Sequence, residues 1–145
     1  MTKPLAVITG ASSGIGEATA KAFSAAGYPT LLLARRLQRM EALNLPNAMC
    51  RQVDVRNRDA LVAAIREAEA EYGPTDMIFN NAGVARLADI GTQPPEDWDE
   101  MIGINTNGVM NGVYAVMGQM KERGTGTIVN MSSIAGRKVY EDHTV

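Results

Sequence analysis

Leu5-Ala6-Val7-Ile8-Thr9-Gly10-Ala11-Ser12-Ser13-Gly14-Ile15-Gly16 is the stretch on which the fold turns: a continuous apolar run, then glycines spaced Gly-x-x-x-Gly-x-Gly. An apolar run without alternation is what a strand covered on both faces requires. Behind it Ile15, Ala18, Ala22, Phe23 and Ala26 recur at helical spacing, and Gly27 is placed to end that helix. The glycines therefore occupy a strand-to-helix turn. Glycine tolerates unusual backbone angles there and lets another group come close. The helix that begins at the turn offers unpaired N–H groups and the positive end of its dipole, which suits a diphosphate. Ser12 and Ser13 add hydroxyl donors. A merely tight turn would ask for the same glycines; the pattern of the rest of the chain separates the two readings.

That pattern is alternation. Thr30–Ala34 is a second apolar run, and a short basic helix is expected over residues 36–43, closed by the turn Asn44-Leu45-Pro46-Asn47. Residues 48–53 make a third strand, less apolar and so nearer an edge. Leu61, Val62, Ile65, Ala68 and Tyr72 mark a helix with Asn57 as N-cap, broken by Gly73-Pro74. Met77-Ile78-Phe79 is a very short fourth strand. A helix then starts near Pro95 and carries Trp98, Met101 and Ile102. A further helix sets Val109, Val113, Val116, Met117 and Met120 on one face and closes at Gly124, before a fifth strand over residues 127–131. Strand-helix alternation implies right-handed crossovers and a parallel sheet with helices on both faces. The expected class is α/β, a doubly wound parallel sheet, with its ligand beyond the C-terminal strand ends where the strand order reverses.

Composition narrows the partners. The chain has 145 residues, 46% hydrophobic and 21% charged, an ordinary globular balance for one domain. A net charge of −2 argues against nucleic acid, which selects a basic surface. No run approaches a membrane span, and the apolar start is too short for a signal-peptide core. Cys50 is the only cysteine, so no internal disulfide forms, and a cytoplasmic protein is expected. No metal site is expected.

Further motifs carry a family resemblance. Asn80-Asn81-Ala82-Gly83 follows the fourth strand; Asn105 precedes Gly108 by three; Ile128-Val129-Asn130-Met131-Ser132-Ser133 leads into Ala135-Gly136. With the glycine spacing of Gly10, Gly14 and Gly16, and in this order, they resemble the short-chain dehydrogenase/reductase family over essentially the whole chain. The resemblance implies a Rossmann-type domain spanning residues 1–145 that binds a dinucleotide through Gly10, Ser12, Ser13, Gly14, Ile15 and Gly16. It also places Asp54 and Val55 at the adenine and Asn81, Ala82 and Gly83 near the adenosine ribose. Asp54 could equally sit in a turn beside Asn57, and the Asn81 side chain could mainly tie neighbouring strands together.

An acidic residue ending the second strand would favour NAD(H), because it accepts from the ribose 2′-hydroxyl. Here Arg35 falls at that position with Arg36 beside it. Two guanidinium groups clamp a 2′-phosphate in a geometry lysine does not match, so NADP(H) is expected over NAD(H). A solvated basic helix start is the plainer alternative.

In the family a tyrosine exchanges a proton with the reacting carbonyl or hydroxyl oxygen, and a lysine four residues later lowers its pKa. A serine hydrogen-bonds that oxygen and a helix asparagine supports a water-linked proton path. By resemblance Ser133 takes the serine role and Asn105 the asparagine role. Ser132 is less suited, because strand alternation turns it away from Ser133's side; Ser133 could also simply cap nearby backbone. The family places the tyrosine about thirteen residues beyond the serine, just past Val145. Tyr140 does not replace it, since Thr144 stands where the lysine would be, and the sole histidine, His143, reads as an ordinary tail residue. The expectation is an incomplete domain, ending after the fifth strand and inactive by itself. Its intact form would be an NADP(H)-dependent reductase of a carbonyl or alcohol substrate, dimeric or tetrameric through helices like those around Trp98–Ile102 and Val109–Met120. The alternative is a non-catalytic nucleotide-binding or subunit-interaction module. Arg86, Leu87 and the loop to Gln93 are placed near the substrate.

Overall fold

The computed structural model describes residues 3–138 and 140–141. Its five strands form one parallel sheet: β1 (Leu5–Thr9), β2 (Thr30–Ala34), β3 (Ala48–Gln52), β4 (Thr75–Asn80) and β5 (Thr127–Asn130). They lie in the order β3-β2-β1-β4-β5. The chain winds outward from β1 to one edge, returns, and winds out to the other. The order therefore reverses between β1 and β4, which opens a crevice beyond their C-terminal ends. β3 lies at an edge, as its mixed composition predicts, while β4 runs to six residues and is longer than its apolar trio.

Alternate residues of each strand point to opposite faces. Leu5, Val7, Leu31, Leu33 and Ile78 face helices α3 (Arg58–Tyr72) and α5 (Gly108–Arg123), which bring Leu61, Ile65, Ala68, Val116 and Met120. Ile8, Leu32 and Phe79 face the other way, toward Ala20 of α1 (Gly14–Ala25) and Met40 of α2 (Leu37–Glu41). The Asn57 side chain caps α3 by accepting from the Ala60 N–H at 3.0 Å. Gly73, at φ 89°, and Gly124, at φ 69°, turn the chain after α3 and α5. No helix among the described residues is long and apolar enough to cross a membrane.

Two helices bury faces other than the periodicity suggests. α1 turns Gly16, Ala20 and Ser24 inward and leaves Ile15 60% exposed, with Ala18, Ala22 and Ala26 outward. α5 buries Gly108, Asn111 and Gly112 along with Val116 and Met120, while Met117 faces out. Volume decides both cases, because only small side chains let the helix axis come close to the sheet. A Cβ at Gly112 would fall on the side-chain oxygen of buried Asn80, and one at Gly108 would lie 2.5 Å from Val55 Cγ2. Asn111 is acceptable inside because it donates to Val55 O at 2.8 Å and accepts from Arg58 Nε at 2.9 Å.

The helices expected near Trp98 and Val109 are one run. α4 (Pro95–Ile102) passes through a π turn, Gly103–Asn107, directly into α5. Single π turns inside helices commonly mark functional positions, and this one carries Asn105.

Candidate functional site

The glycine loop and the Asn81-Ala82-Gly83 segment meet at the strand-order reversal. Thr9, buried at the end of β1, is the joint: its Oγ1 accepts from the backbone N–H of Asn81 at 2.9 Å and of Ala82 at 3.0 Å. The same hydroxyl donates to Phe79 O at 3.3 Å, and Asn81 Nδ2 donates to Thr9 O at 3.0 Å. The Asn81 amide is thereby wedged between two glycines. A Cβ on Gly10 (φ +67°) would lie 2.8 Å from Ala82 Cα and 2.9 Å from Asn81 Nδ2. One on Gly16 would strike Gly10 O and stand 2.6 Å from the same Nδ2. Ser13 occupies the N-cap of α1 without a side-chain capping bond, so the first-turn N–H groups keep the unsatisfied character of a helix start.

Above this joint lies a cavity of about 620 Å³ lined by Gly10, Ser12, Ser13, Ile15, Arg35, Arg36, Asp54, Val55, Asn81, Ala82 and Gly83. Ala34, Val53, Val84, Ile104 and Met131 complete the wall. Of the loop residues expected at the site, Gly14 and Gly16 are not in the lining. Gly14 starts α1 at φ +57° in open space, and Gly16 lies beneath the loop and permits its close approach to the helix. The apolar wall was missed from sequence, although Ala34 and Val53 follow from strands ending there. Ile104 carried no local signal.

The cavity mouth is strongly charged. Arg36 donates to Ser12 Oγ from Nε at 3.2 Å and from Nη2 at 3.0 Å, and to Ser13 Oγ at 2.7 Å, so its cation rests on neutral hydroxyls beside the helix start. Arg35 Nη1 stands 3.5 Å from Glu100 Oε1, while Arg86 holds the other oxygen of Glu100 at 2.9 and 3.1 Å. The hydrogen bond from Arg86, more than any other influence, holds the Glu100 carboxyl below the usual range. Asp54 lines the cavity but its carboxylate is engaged by Arg56, through the backbone N–H at 3.0 Å and Nη2 at 2.6 Å, which lowers its pKa. It thus sits in a turn and lines the cavity at once.

Ser133 and Asn105 lie outside the cavity wall. Ser133 Oγ accepts from Ala135 N at 3.1 Å, capping the short 3₁₀ turn Ile134–Gly136. Met131, from the same segment, reaches the cavity instead. Both polar atoms of the Asn105 side chain are spent on Val84: Oδ1 accepts from its N–H at 2.9 Å and Nδ2 donates to its carbonyl at 2.8 Å. The side chain therefore clamps the extended chain that follows the Asn-Asn-Ala-Gly segment.

Gln93 is buried and bridges Arg86 O and the Trp98 indole N–H, so it packs the loop, whereas Leu87 is exposed. Tyr140 is exposed and His143 lies outside the described residues. Cys50 sits half-buried on the β3 edge with its thiol pKa raised, mainly by burial, which is the reverse of a reactive cysteine. Among the described residues no cluster of three or more His, Cys, Asp or Glu could hold a metal ion.

A family model described as short chain dehydrogenase matches residues 4–145. The acetoacetyl-CoA reductase of Rhizobium meliloti is 40% identical over 136 residues, which cover 92% of this chain and 56% of the relative. The NADP-dependent 3-hydroxy acid dehydrogenase of Salmonella typhi is 35% identical over 144 residues, 94% of this chain and 56% of the relative. A solved structure, the closed form of serine dehydrogenase complexed with NADP+, superposes with a TM-score of 0.90 at 33% identity, over 95% of this chain and 57% of that one. The chain spans a little over half the length of these curated relatives.

Proposed function

The chain belongs to the short-chain dehydrogenase family, and on that premise we propose that it is the dinucleotide-binding part of an NADP(H)-dependent oxidoreductase. The carrying observation is the pair Arg35 and Arg36 at the cavity mouth, beside the Ser12 and Ser13 hydroxyls at the start of α1. A 2′-phosphate is a dianion, and planar guanidinium groups answer it with parallel charge-assisted donors. The residues fit the rest of the dinucleotide as well. Gly10 and Gly16 let the loop, the Asn81 amide and the start of α1 pack without a Cβ between them, the α1 start suits a diphosphate, and Ala34, Val53, Val55 and Ile104 offer apolar lining for a base. A bound nicotinamide supplies hydride exchange with a carbonyl or alcohol carbon.

The chain's own groups position and protonate. In the proposed whole protein Ser133 donates its hydroxyl hydrogen, which the bond accepted from Ala135 N leaves free, to the reacting oxygen, and Asn105 acts as a positioning residue through Val84. The proton donor is the family tyrosine, and the 145 residues hold no Tyr-x-x-x-Lys. These residues alone are therefore proposed to bind nucleotide without turnover. Hydride transfer to a carbonyl by the 145-residue chain, abolished by Ser133→Ala, would contradict this. The names of the Salmonella and serine dehydrogenase proteins, which mention NADP, support the cofactor reading. A reducing cytoplasm is the proposed compartment, and the outward stripe Met110, Tyr114 and Met117 on α5 is the proposed subunit contact. That stripe is also what favours the second reading, a subunit-interaction module.

Replacing Arg35 tests the cofactor assignment. Arg35→Ala is expected to weaken NADPH binding roughly 10- to 100-fold, as loss of charge-assisted hydrogen bonds to a phosphate requires. NADH binding should stay within about twofold, since its hydroxyl makes no such demand. Calorimetric titration of both nucleotides reads this directly, and equal losses would remove the assignment.

A further inference from the structure

Glu100 lies sixty-five residues from Arg35 in sequence, and the fold sets its carboxylate 3.5 Å from the guanidinium. We infer that Glu100 sets the nucleotide preference of the cavity by placing a like charge beside a ligand phosphate drawn to Arg35. The inference rests on the reading that Arg35 receives the 2′-phosphate, and adds a residue of α4, against Arg35 but outside the cavity lining, that opposes it.

Placement comes from α4. Glu100 stands one helical turn before Ile104, which lines the cavity, so its side chain rises at the rim. Only 21% of the Glu100 side chain is exposed, against 53% for Arg35 and 51% for Arg86, so the carboxylate is the least exposed member of the trio. Its two oxygens are claimed unequally. Arg86 holds Oε2 through two nitrogens at 2.9 and 3.1 Å, and Arg35 reaches Oε1 at 3.5 Å through one. Arg35 can leave this long, half-exposed contact at little cost. Glu100 is held more firmly, because Arg86 grips its other oxygen through two nitrogens.

The consequence differs between the two nucleotides. A phosphate that takes Arg35 arrives as a dianion beside a fixed carboxylate, and like charges at that range repel. A ribose hydroxyl carries no charge and meets no such repulsion; it can donate to the same oxygen. Glu100 thus subtracts from NADPH affinity and leaves NADH affinity alone, which narrows the preference that Arg35 and Arg36 create. Arg86 moderates the effect by drawing the carboxylate back.

Four variants of the purified protein, Glu100→Gln, Arg86→Gln, Arg35→Ala and the Arg35→Ala, Glu100→Gln double variant, titrated with NADPH and with NADH, test this. Glu100→Gln keeps the shape and removes the charge, and is expected to tighten NADPH about three- to tenfold with NADH within about twofold. Arg86→Gln frees Glu100 toward Arg35 and is expected to weaken NADPH by about threefold. In the Arg35→Ala background the gain from Glu100→Gln should fall by at least half, the signature of direct coupling. If Glu100→Gln leaves the NADPH-to-NADH affinity ratio unchanged while Arg35→Ala lowers it, the inference is overturned and the cofactor assignment stands. If Arg35→Ala lowers both affinities equally, the assignment falls and the inference with it. Circular dichroism identifies any variant that has lost its fold; Glu100→Ala, which also removes the charge, then replaces Glu100→Gln and is expected to raise the NADPH-to-NADH affinity ratio, an unchanged ratio again overturning the inference.

Discussion

Gly16→Ala is expected to abolish nucleotide binding at millimolar NADPH and to destabilise the fold by about 2–3 kcal/mol. The residue lies in the first turns of α1, where alanine would normally gain roughly 1 kcal/mol of helix propensity over glycine. The clash outweighs that gain because of what the new methyl meets. It would strike the Gly10 carbonyl oxygen, stand 2.8 Å from the Gly10 carbonyl carbon, and lie 2.6 Å from Asn81 Nδ2. Two of these atoms are backbone and the third is held by its bond to Thr9 O, so none can swing aside. The loop must lift from the helix, and that shifts the groups proposed to receive the diphosphate. Urea unfolding and NADPH titration measure the two effects. Gly14→Ala provides the contrast: its φ of +57° strains an L-residue, but its Cβ meets nothing within 4 Å. It should cost only the backbone term of about 1–2 kcal/mol. Wild-type affinity in Gly16→Ala would show that the loop is not the phosphate cradle.

Thr9→Val is expected to cost about 3 kcal/mol although it changes almost no volume. The hydroxyl accepts from two backbone N–H groups, those of Asn81 and Ala82, and Thr9 is 2% exposed. A methyl in its place leaves both donors facing an apolar atom, at a penalty of about 1–3 kcal/mol each. The added apolar contact offsets less than one methylene's worth, about 0.8 kcal/mol. Function should follow stability, since Ala82 and Gly83 line the cavity and would lose their anchor. Thr9→Ser retains the oxygen and should keep most of the parental stability in urea. A loss below about 1 kcal/mol for the valine variant would mean that water or a shifted loop satisfies the two N–H groups.

Local physics explains how far the sequence could be read. Strands that are apolar throughout, a glycine turn after the first of them, and capped helices between them are decided by groups within a few residues of one another. Leu5–Thr9, Thr30–Ala34, the Asn57 cap and the Gly124 stop all read in this way. Parallel order follows from alternation, because a crossover of one helix allows no other pairing. The cavity-lining residues Gly10, Ser12 and Arg35 were legible for the same reason, as each sits at a strand end or in the turn beyond it, whereas Asn81 was legible only through the family resemblance.

Tertiary structure decided what depends on fit between distant segments. Periodicity ranks α1 by hydrophobicity and chooses Ile15, Ala18 and Ala22, but the sheet accepts the side that packs closest, which carries Gly16, Ala20 and Ser24. The same competition between volume and polarity turns Gly108, Asn111 and Gly112 of α5 inward. Partners of side chains are further from reach. Asn105 closes on Val84 across 21 residues, and Arg35 meets Glu100 across 65 residues. An ion pair or a clamped amide records where two chain segments arrive in space, and no local pattern encodes that. The sequence by itself determined the elements and the place of the cavity; the three-dimensional packing decided which charges meet at its mouth.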